Sequence, residues 1–168
     1  MSVEGQTVPD TTFTYVPWNP ELDSGKVCGI PTTFQSHKEF KGKKVVVISV
    51  PGAFTPTCHM HHIPPFIQNI EELKAKGVSD VYVIAANDAF VMSAWGTENE
   101  AKDKVIFAND TNTAFSKALG ATVDLSARGM GERTARYATV IDDLKITYFG
   151  LDSGELKNSS YEAVLSKL

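Results

Sequence analysis

The chain has 168 residues, a net charge of −4 and a hydrophobic content of 42%, which is enough apolar material for one globular core. Its 16 Lys and Arg residues are scattered, so the sequence lacks the basic face of a nucleic-acid-binding protein. Every apolar run is far shorter than the roughly 20 residues that cross a bilayer, and no secretory signal begins the sequence. We therefore expect neither nucleic acid nor membrane as a partner. The two cysteines fit a reducing compartment.

Strand and helix patterns alternate along the chain, which predicts an α/β fold with a mixed central sheet and helices on both faces. Strands are predicted at 11–17, 44–50, 80–86, 105–108, 136–141 and 145–149, the last two turning at Asp142-Asp143. Helices are predicted from residue 58 to about 76, kinked or restarted at Pro64 and Pro65, and at 89–99, up to 119 and 158–168. Residues 24–34 are predicted to be irregular, and 122–134 to form a long surface loop. No linker interrupts this order, so a single domain over residues 1–168 is predicted.

Three polar side chains are expected to cap these helices. Asp88 precedes the helix at 89–99, and Asp110 or Thr111 precedes the helix that ends at 119. Ser159 or Ser160 precedes the last helix. Each can accept a hydrogen bond from a first-turn amide, which fixes where the helix begins.

Cys58 stands where the buried strand at 44–50 gives way to a helix. Pro51, Gly52 and Pro56 prevent the strand from continuing. A helix that begins near Thr57 points unpaired backbone amides at the sulfur, and those amides favour the thiolate over the thiol. The sequence therefore predicts a reactive thiol at this turn.

The residues of this turn resemble a known active-site signature. The spacing Pro51-x-x-x-Thr55-x-x-Cys58 matches that of peroxiredoxins, and the string Pro-Gly-Ala-Phe-Thr-Pro-Thr-Cys resembles their type-5 branch, which includes fungal alkyl hydroperoxide reductases and peroxisomal matrix proteins. The resemblance covers nearly the whole chain. It implies a thioredoxin-like fold and a thiol-dependent peroxidase that reduces hydrogen peroxide and alkyl hydroperoxides. It implies no metal, haem, flavin or nucleotide cofactor.

The resemblance also implies roles for the residues of the turn. Cys58 is the nucleophile, Thr55 orients the peroxide through its hydroxyl, and Pro51 shields the sulfur from water. The cation that stabilises the thiolate is Arg136, whose planar donor fork can hold both sulfur and peroxide oxygens. Arg133 competes for that role, and Arg128 is a more distant competitor.

Three histidines, His59, His61 and His62, follow Cys58 and raise the question of a zinc site, because thiolate and imidazole are good zinc ligands. Consecutive helical positions point about 100° apart, so His61 and His62 cannot both face one ion with Cys58. No metal is therefore expected. His62 matches a histidine of the type-5 branch and is expected to pack and hydrogen-bond near the site, with His59 and His61 exposed.

Cys28 is the second thiol and the candidate that resolves the sulfenic acid formed on Cys58. Gly25, Gly29 and Pro31 surround it and predict an exposed, reachable loop. Spacing leaves open whether a Cys28–Cys58 disulfide joins two subunits or closes within one. Resemblance to the fungal enzymes favours the intersubunit form, hence a homodimer, with thioredoxin as the reductant.

Three alternatives accompany this interpretation. Cys28 can be inert, so that glutathione, glutaredoxin or thioredoxin reduces Cys58 directly in a one-cysteine peroxidase. The same sulfur can serve a redox-signalling relay or a chaperone. A disulfide oxidoreductase is excluded, because it needs Cys-x-x-Cys and Thr55 occupies the first cysteine position.

The last three residues, Ser166-Lys167-Leu168, spell the peroxisomal address that an import receptor reads. The alternative is that an amphipathic helix happens to end this way. We expect a peroxisomal matrix protein, a cytoplasmic one, or both.

Overall fold

The computed structural model describes residues 2–168, so residue 1 of the predicted domain lies outside it. A seven-stranded mixed sheet has the order β2-β1-β5-β4-β3-β8-β9, in which β3, β4 and β5 are parallel and the other pairs antiparallel. Its strands are β1 (Thr12–Tyr15), β2 (Thr32–Gln35), β3 (Lys44–Ser49), β4 (Asp80–Ala85), β5 (Ile106–Asp110), β8 (Arg136–Asp142) and β9 (Lys145–Asp152). The strands β6 (Thr122–Asp124) and β7 (Glu132–Thr134) form a separate antiparallel pair.

Helices cover both faces of the sheet, as predicted. One face packs against α2 (Pro64–Gln68), α3 (Ile70–Ala75), α4 (Ala89–Glu98) and α6 (Tyr161–Leu165), and the other against α1 (Ser36–Phe40) and α5 (Ala114–Ala118). Three-residue to five-residue 3₁₀ segments lie at Pro20–Ser24, Thr111–Thr113 and Ser126–Arg128. Within residues 2–168, every helix is too short or too polar to span a bilayer.

The central strand β3 has its apolar side chains buried on both sides of the sheet. Val46 and Ile48 contribute to the core beneath α2, α3, α4 and α6, whereas Val45 and Val47 contribute to the core beneath α1 and α5. A strand covered on both faces reads as a continuous apolar run, which is why the sequence predicted it well. Its position fixes where the chain leaves the sheet toward Cys58.

Three predicted helix caps are confirmed. Asp88 accepts hydrogen bonds from the amides of Phe90 and Val91 at the start of α4. Asp110 accepts from the amides of residues 115 and 116 in α5, and Ser160 accepts from the amide of residue 163 in α6. The carboxylate of Asp110 reaches α5 from five residues away, so it acts as a cap without occupying the N-cap position.

Three segment predictions need correction in whole or in part. Residues 122–134 contain the β6–β7 hairpin instead of an open loop, because a two-stranded pair this short gives little periodicity to recognise. The helix predicted from 58 to 76 restarts at Pro64, which is one of the two predicted outcomes, but a second break at Asn69, between α2 and α3, was not predicted. The irregular segment at 24–34 ends earlier than predicted, since β2 begins at residue 32.

Candidate active site at the Cys58 turn

The turn that carries Cys58 is a strained loop closed by a short helix. Phe54 has a φ of 60°, which is unusual for a bulky side chain, and its ring stacks on His59 at 5.8 Å between ring centroids. The first helical hydrogen bond runs from the amide of His59 to the carbonyl of Thr55, at 2.9 Å. Cys58 itself is completely buried, so the loop holds its sulfur inside the protein rather than on the surface.

A wide helical turn, Cys58–His62, follows directly from this loop. The amide of Ile63 donates to the carbonyl of Cys58 at 3.2 Å, a five-residue spacing that defines a π-helical turn. The amides of Thr57 and Cys58 lie in the first turn, where helical amides have no partner within the helix. These amides are therefore available to negative charge at the sulfur or at a bound substrate.

Strand β8 brings Arg136 to this sulfur. The hydroxyl of Thr134 donates to the carbonyl of Val50, and the hydroxyl of Ser49 donates to the carbonyl of Ala135, both at 2.8 Å. These two bonds hold the start of β8 against the end of β3. Arg136 then places Nη2 at 3.1 Å from the sulfur of Cys58, a contact between residues 78 positions apart.

The two competing arginines lie elsewhere. Arg133 donates from Nε to the carbonyl of Met130 at 2.8 Å, and its Nη1 lies 3.4 Å from the carbonyl of Pro51. Its guanidinium thus supports the loop before Cys58 without a hydrogen bond to the sulfur among the described residues. Arg128 lies at the rim of the adjacent cleft.

That cleft has a volume of about 660 Å³ and is lined by Pro51, Thr55 and Arg136 together with apolar side chains. The hydroxyl of Thr55 donates to the carbonyl of Gly52 at 2.8 Å. Since this bond uses the only hydroxyl hydrogen, the oxygen faces other groups with lone pairs alone. The predicted site residues Cys58, Thr55, Pro51 and Arg136 therefore come together in one place.

The three histidines after Cys58 differ in their burial and in their hydrogen-bond partners. His62 is buried, and its Nδ1 lies 2.9 Å from Nη1 of Arg136. His61 is exposed as expected, but the prediction for His59 was wrong, because His59 is half-buried and its Nδ1 accepts a hydrogen bond from the indole of Trp95 at 2.8 Å. Within residues 2–168 no cluster of His, Cys, Asp or Glu is arranged to hold a metal ion.

Burial lowers the pKa of His62 from 6.5 to about 4, and the nearby charge of Arg136 adds to this lowering, whereas the Ser159 carbonyl and Asp152 act against it. The neutral ring is thus favoured in the folded state. The unfolded chain binds more protons between pH 6.5 and pH 4, so the stability present above pH 6.5 is lost as the pH falls through this window.

We expect the free energy of unfolding of the wild type to fall by about 2 kcal/mol more than that of His62→Gln when the pH is lowered from 7 to 4.5, because only the wild type has this depressed pKa. Urea denaturation at the two pH values measures the difference.

The exposed neighbour provides the control for that measurement. His61→Gln should follow the wild-type dependence on pH, because its side chain is solvated in both states. A His62→Gln variant with the same dependence as the wild type would contradict the prediction.

Cys28 lies outside the group of residues that line the cleft or contact the sulfur of Cys58. It is exposed, and it precedes β2, which is four strand positions away from β3 in the sheet. At about 4.8 Å per strand, the strands β2 and β3 are roughly 19 Å apart. The neighbouring Gly29 packs so closely on Val16 that a Cβ there would lie 2.3 Å from its Cγ1, and Val16 in turn clusters with Leu22 and with Ala89 at the start of α4.

Sequence reasoning missed a residue that supports the Cys58 turn. The side-chain oxygen of Asn87 accepts from the amide of Ala53 at 2.9 Å and lies 3.4 Å from Nη1 of Arg133. Asn87 follows β4, the parallel neighbour of β3, and the carboxyl ends of parallel strands meet at one edge of a sheet. The position of a polar residue just after β4 was the sequence signal that could have identified Asn87 as a neighbour of the Cys58 turn.

Comparison with known proteins identifies the family. The Redoxin family matches residues 3–165. A Malassezia furfur protein named a peroxiredoxin is 61% identical over 170 residues, which cover 99% of this chain and 96% of that protein. A Lipomyces kononenkoae protein named a peroxisomal peroxiredoxin is 42% identical over 160 residues, with coverages of 95% and 96%. The crystal structure of reduced Prx3 from Vibrio vulnificus in complex with H2O2 aligns with a TM-score of 0.86 at 36% identity, covering 99% of this chain and 98% of that chain.

These likenesses confirm the thioredoxin-like fold and the resemblance to fungal and peroxisomal peroxiredoxins. A family match over almost the whole chain agrees with a buried cysteine that an arginine contacts at a strand-to-helix turn. The chain therefore belongs to the Redoxin family, and within it to the peroxiredoxins, which are peroxidases that use a cysteine thiol.

Proposed function

We propose that Cys58 is the nucleophile that reduces hydrogen peroxide and alkyl hydroperoxides. Its thiolate attacks one peroxide oxygen and takes it as a sulfenic acid, and the other oxygen leaves with a proton as water or alcohol. The observation that carries this proposal is the 3.1 Å contact between the guanidinium of Arg136 and the sulfur. A fixed cation at this distance favours the thiolate and the charge that develops on the leaving oxygen.

The orientation of the peroxide is assigned to Thr55 and the first-turn amides. Because the hydroxyl of Thr55 donates to Gly52, its lone pairs are free to accept the O–H of a hydroperoxide. The amides of Thr57 and Cys58 offer donors to the second oxygen. Holding the O–O bond in line with the sulfur is worth several powers of ten in rate when it is done well.

The cleft beside this site favours alkyl hydroperoxides as substrates in addition to hydrogen peroxide. Its apolar wall consists of side chains from the β6–β7 hairpin, the loop between these strands and the end of β9, namely Val123, Leu125, Met130 and Leu151. Hydrogen peroxide has no apolar part for such a wall. An alkyl hydroperoxide buries its carbon chain there, at about 25 cal/mol per Å² of apolar area removed from water.

Cys28 is proposed to resolve the sulfenic acid on a second subunit, with thioredoxin reducing the resulting disulfide. A disulfide needs Cα atoms within about 7 Å, and Cys28 precedes β2, which lies four strand positions from β3 in the sheet; this order supports a bond between subunits. Cys58 is also fully buried, so its turn must open before any thiol can reach it. The large apolar side chains of Phe54, Met60 and Phe90 are exposed, which supports a homodimer.

A non-reducing gel tests this assignment. After one equivalent of hydrogen peroxide, the wild type should run as a covalent dimer, and reductant should return it to a monomer. Cys28→Ser should still consume about one equivalent of peroxide per subunit, because the first step needs only Cys58. Turnover of this variant with thioredoxin should then stop, and excess peroxide should oxidise Cys58 further to the sulfinic acid, since no thiol remains to condense with the sulfenic acid.

Two results would contradict parts of this scheme. A wild type that stays monomeric and contains a Cys28–Cys58 peptide by mass spectrometry would show closure within one chain. Full thioredoxin-supported turnover by Cys28→Ser would make the protein a one-cysteine peroxidase, reduced directly by an external thiol.

A peroxisomal address is also proposed for the last three residues, in agreement with the peroxisomal name of the Lipomyces kononenkoae relative. Ser166 and Lys167 are exposed, but Leu168 packs against the core, so a receptor must detach the end of the chain to read it. Expression of the chain with an N-terminal fluorescent tag, scored against a peroxisomal marker, tests the address. A tag distribution that does not change when Leu168 is deleted would refute it.

A further inference from the structure

A series of buried and half-buried hydrogen bonds connects Cys58 with the segment before the last helix, α6. Arg136 contacts the sulfur through Nη2 and reaches Nδ1 of His62 through Nη1, at 2.9 Å. The other ring nitrogen of His62, Nε2, lies 2.8 Å from the carbonyl oxygen of Ser159, 97 positions along the chain. His62 is 1% exposed and Ser159 is fully buried, so water does not replace the bond between them.

The two partners of His62 determine its protonation. A guanidinium can only donate, so Nδ1 must accept, and a carbonyl can only accept, so Nε2 must carry the hydrogen. The ring is therefore neutral with its proton on Nε2, and the Ser159 carbonyl directs the lone pair of Nδ1 at Arg136. Displacing that carbonyl would free the ring to rotate or change tautomer.

The carbonyl of Ser159 is in turn positioned by Asp152. The carboxylate of Asp152 accepts from the amides of Lys157 at 3.0 Å, Asn158 at 2.7 Å and Ser159 at 2.9 Å. It also accepts from the hydroxyl of Ser159 at 2.7 Å. One buried side chain thus holds three successive peptide units before α6.

The sheet places Asp152 where it can act on the site. In the register of β8 and β9, Arg136 is directly opposite Asp152, at the end of the hairpin near Cys58. Asp152 is 8% exposed, and within residues 2–168 the hydrogen bonds to its carboxylate come from residues 157–159. Its carboxylate therefore reaches the guanidinium through the loop and His62.

We propose that Asp152 is a positioning residue for peroxide reduction: it fixes the Ser159 carbonyl, which sets the tautomer of His62 and thereby directs Arg136 at Cys58. The inference rests on the proposed roles of Cys58 and Arg136. His62 is the second positioning residue in the same series. Neither side chain has a hydrogen bond to the sulfur; both act through the guanidinium.

Asp152→Asn is the first test, because asparagine keeps the size and one acceptor oxygen but turns an amide toward the backbone N–H groups. The hydroxyl of Tyr148 still holds the carbonyl of Asn158, at 2.7 Å in the wild type, so the loop should stay on β9. We expect the second-order rate constant with hydrogen peroxide, followed by tryptophan fluorescence, to fall on the order of tenfold, because a group that must be held in place for the reaction is displaced. The thiolate absorbance of Cys58 at 240 nm and neutral pH should fall as well.

Glu155→Gln is the matched control. Glu155 lies in the loop that follows β9, and its substitution removes the same charge, but its side chain is exposed and accepts no hydrogen bond among the described residues. Its rate constant and thiolate absorbance should equal those of the wild type. Equal losses in both variants would mean that only the charge of the loop matters, and would overturn the positioning role.

A double-mutant cycle separates positioning from a merely structural effect. His62→Phe removes both hydrogen bonds of the ring, so adding Asp152→Asn to it should cause no further loss of rate. A full additional tenfold loss in the His62→Phe background would overturn the proposal, as would an Asp152→Asn variant with wild-type kinetics. Neither result bears on the proposed nucleophile, which Cys58→Ser tests separately.

If Asp152→Asn does not fold, two variants of His62 test whether the hydrogen bonds of its ring position Arg136. His62→Gln retains an amide oxygen for Arg136 and an N–H for Ser159, whereas His62→Phe retains neither. We expect His62→Gln to keep a larger share of the rate and of the thiolate absorbance. Equal values for the two variants would overturn the proposed series.

Discussion

Cys58→Ser is expected to abolish peroxide reduction while leaving the fold intact. Serine has nearly the volume of cysteine, and Cys58 is fully buried among apolar groups, so packing should change little. The serine hydroxyl is hardly ionised at neutral pH, which removes the nucleophile and nothing else. Stopped-flow mixing with hydrogen peroxide measures the loss, and circular dichroism together with urea denaturation checks the fold.

Cys28→Ser provides the comparison for that result. It should keep the first step, since the first step does not involve the exposed thiol. Substantial peroxide consumption by Cys58→Ser would instead move the nucleophile to Cys28. That outcome would overturn the proposed function as a whole.

Arg136→Met should slow peroxide reduction by roughly a hundredfold, the order expected when one oriented charge-stabilising donor is removed. The variant loses the 3.1 Å contact with the sulfur and the 2.9 Å contact with His62 at once. Methionine retains most of the apolar stem, so packing at the start of β8 should be kept. The rate constant with hydrogen peroxide and the thiolate absorbance at 240 nm are the two measurements.

Two further substitutions sharpen this prediction. Arg136→Lys keeps the charge but loses the planar fork of donors. It should therefore retain a larger share of the wild-type thiolate absorbance than of the wild-type rate constant. Thr55→Val should slow the reaction with less effect on the thiolate, because it removes orientation more than charge. Negligible effects at both Arg136 and Thr55 would mean that the signature is coincidental. An effect at Arg133 with none at Arg136 would mean that the wrong arginine has been assigned.

The strand and turn that carry Cys58 could be predicted because their information is local. An apolar β-branched run buried on both faces identifies β3, and the prolines and glycine after it end the strand within a few residues. Helix caps follow the same logic, since Asp88 and Ser160 bond to amides only two or three residues away. Each of these features depends on residues that are neighbours in the sequence.

The β6–β7 hairpin and the broken helix after Cys58 were predicted less well for physical reasons. Three-residue strands have too few positions to show alternation, and tertiary contacts decide whether they pair. A proline in a helical pattern can kink the helix or end it, and the packing of α2 and α3 decides between the two.

By itself, the sequence determined the family, the α/β architecture and the residues of the Cys58 turn, because a short motif and a buried strand carry that information. It could name Arg136 only by resemblance, since the contact with Cys58 spans 78 residues and depends on the register of β8 against β3. The tertiary structure alone decided that Arg133 supports the loop and that His62 joins Arg136 to Ser159. Hydrogen bonds between buried groups 97 residues apart leave no local pattern, because the sheet that brings them together forms only when the whole chain has folded.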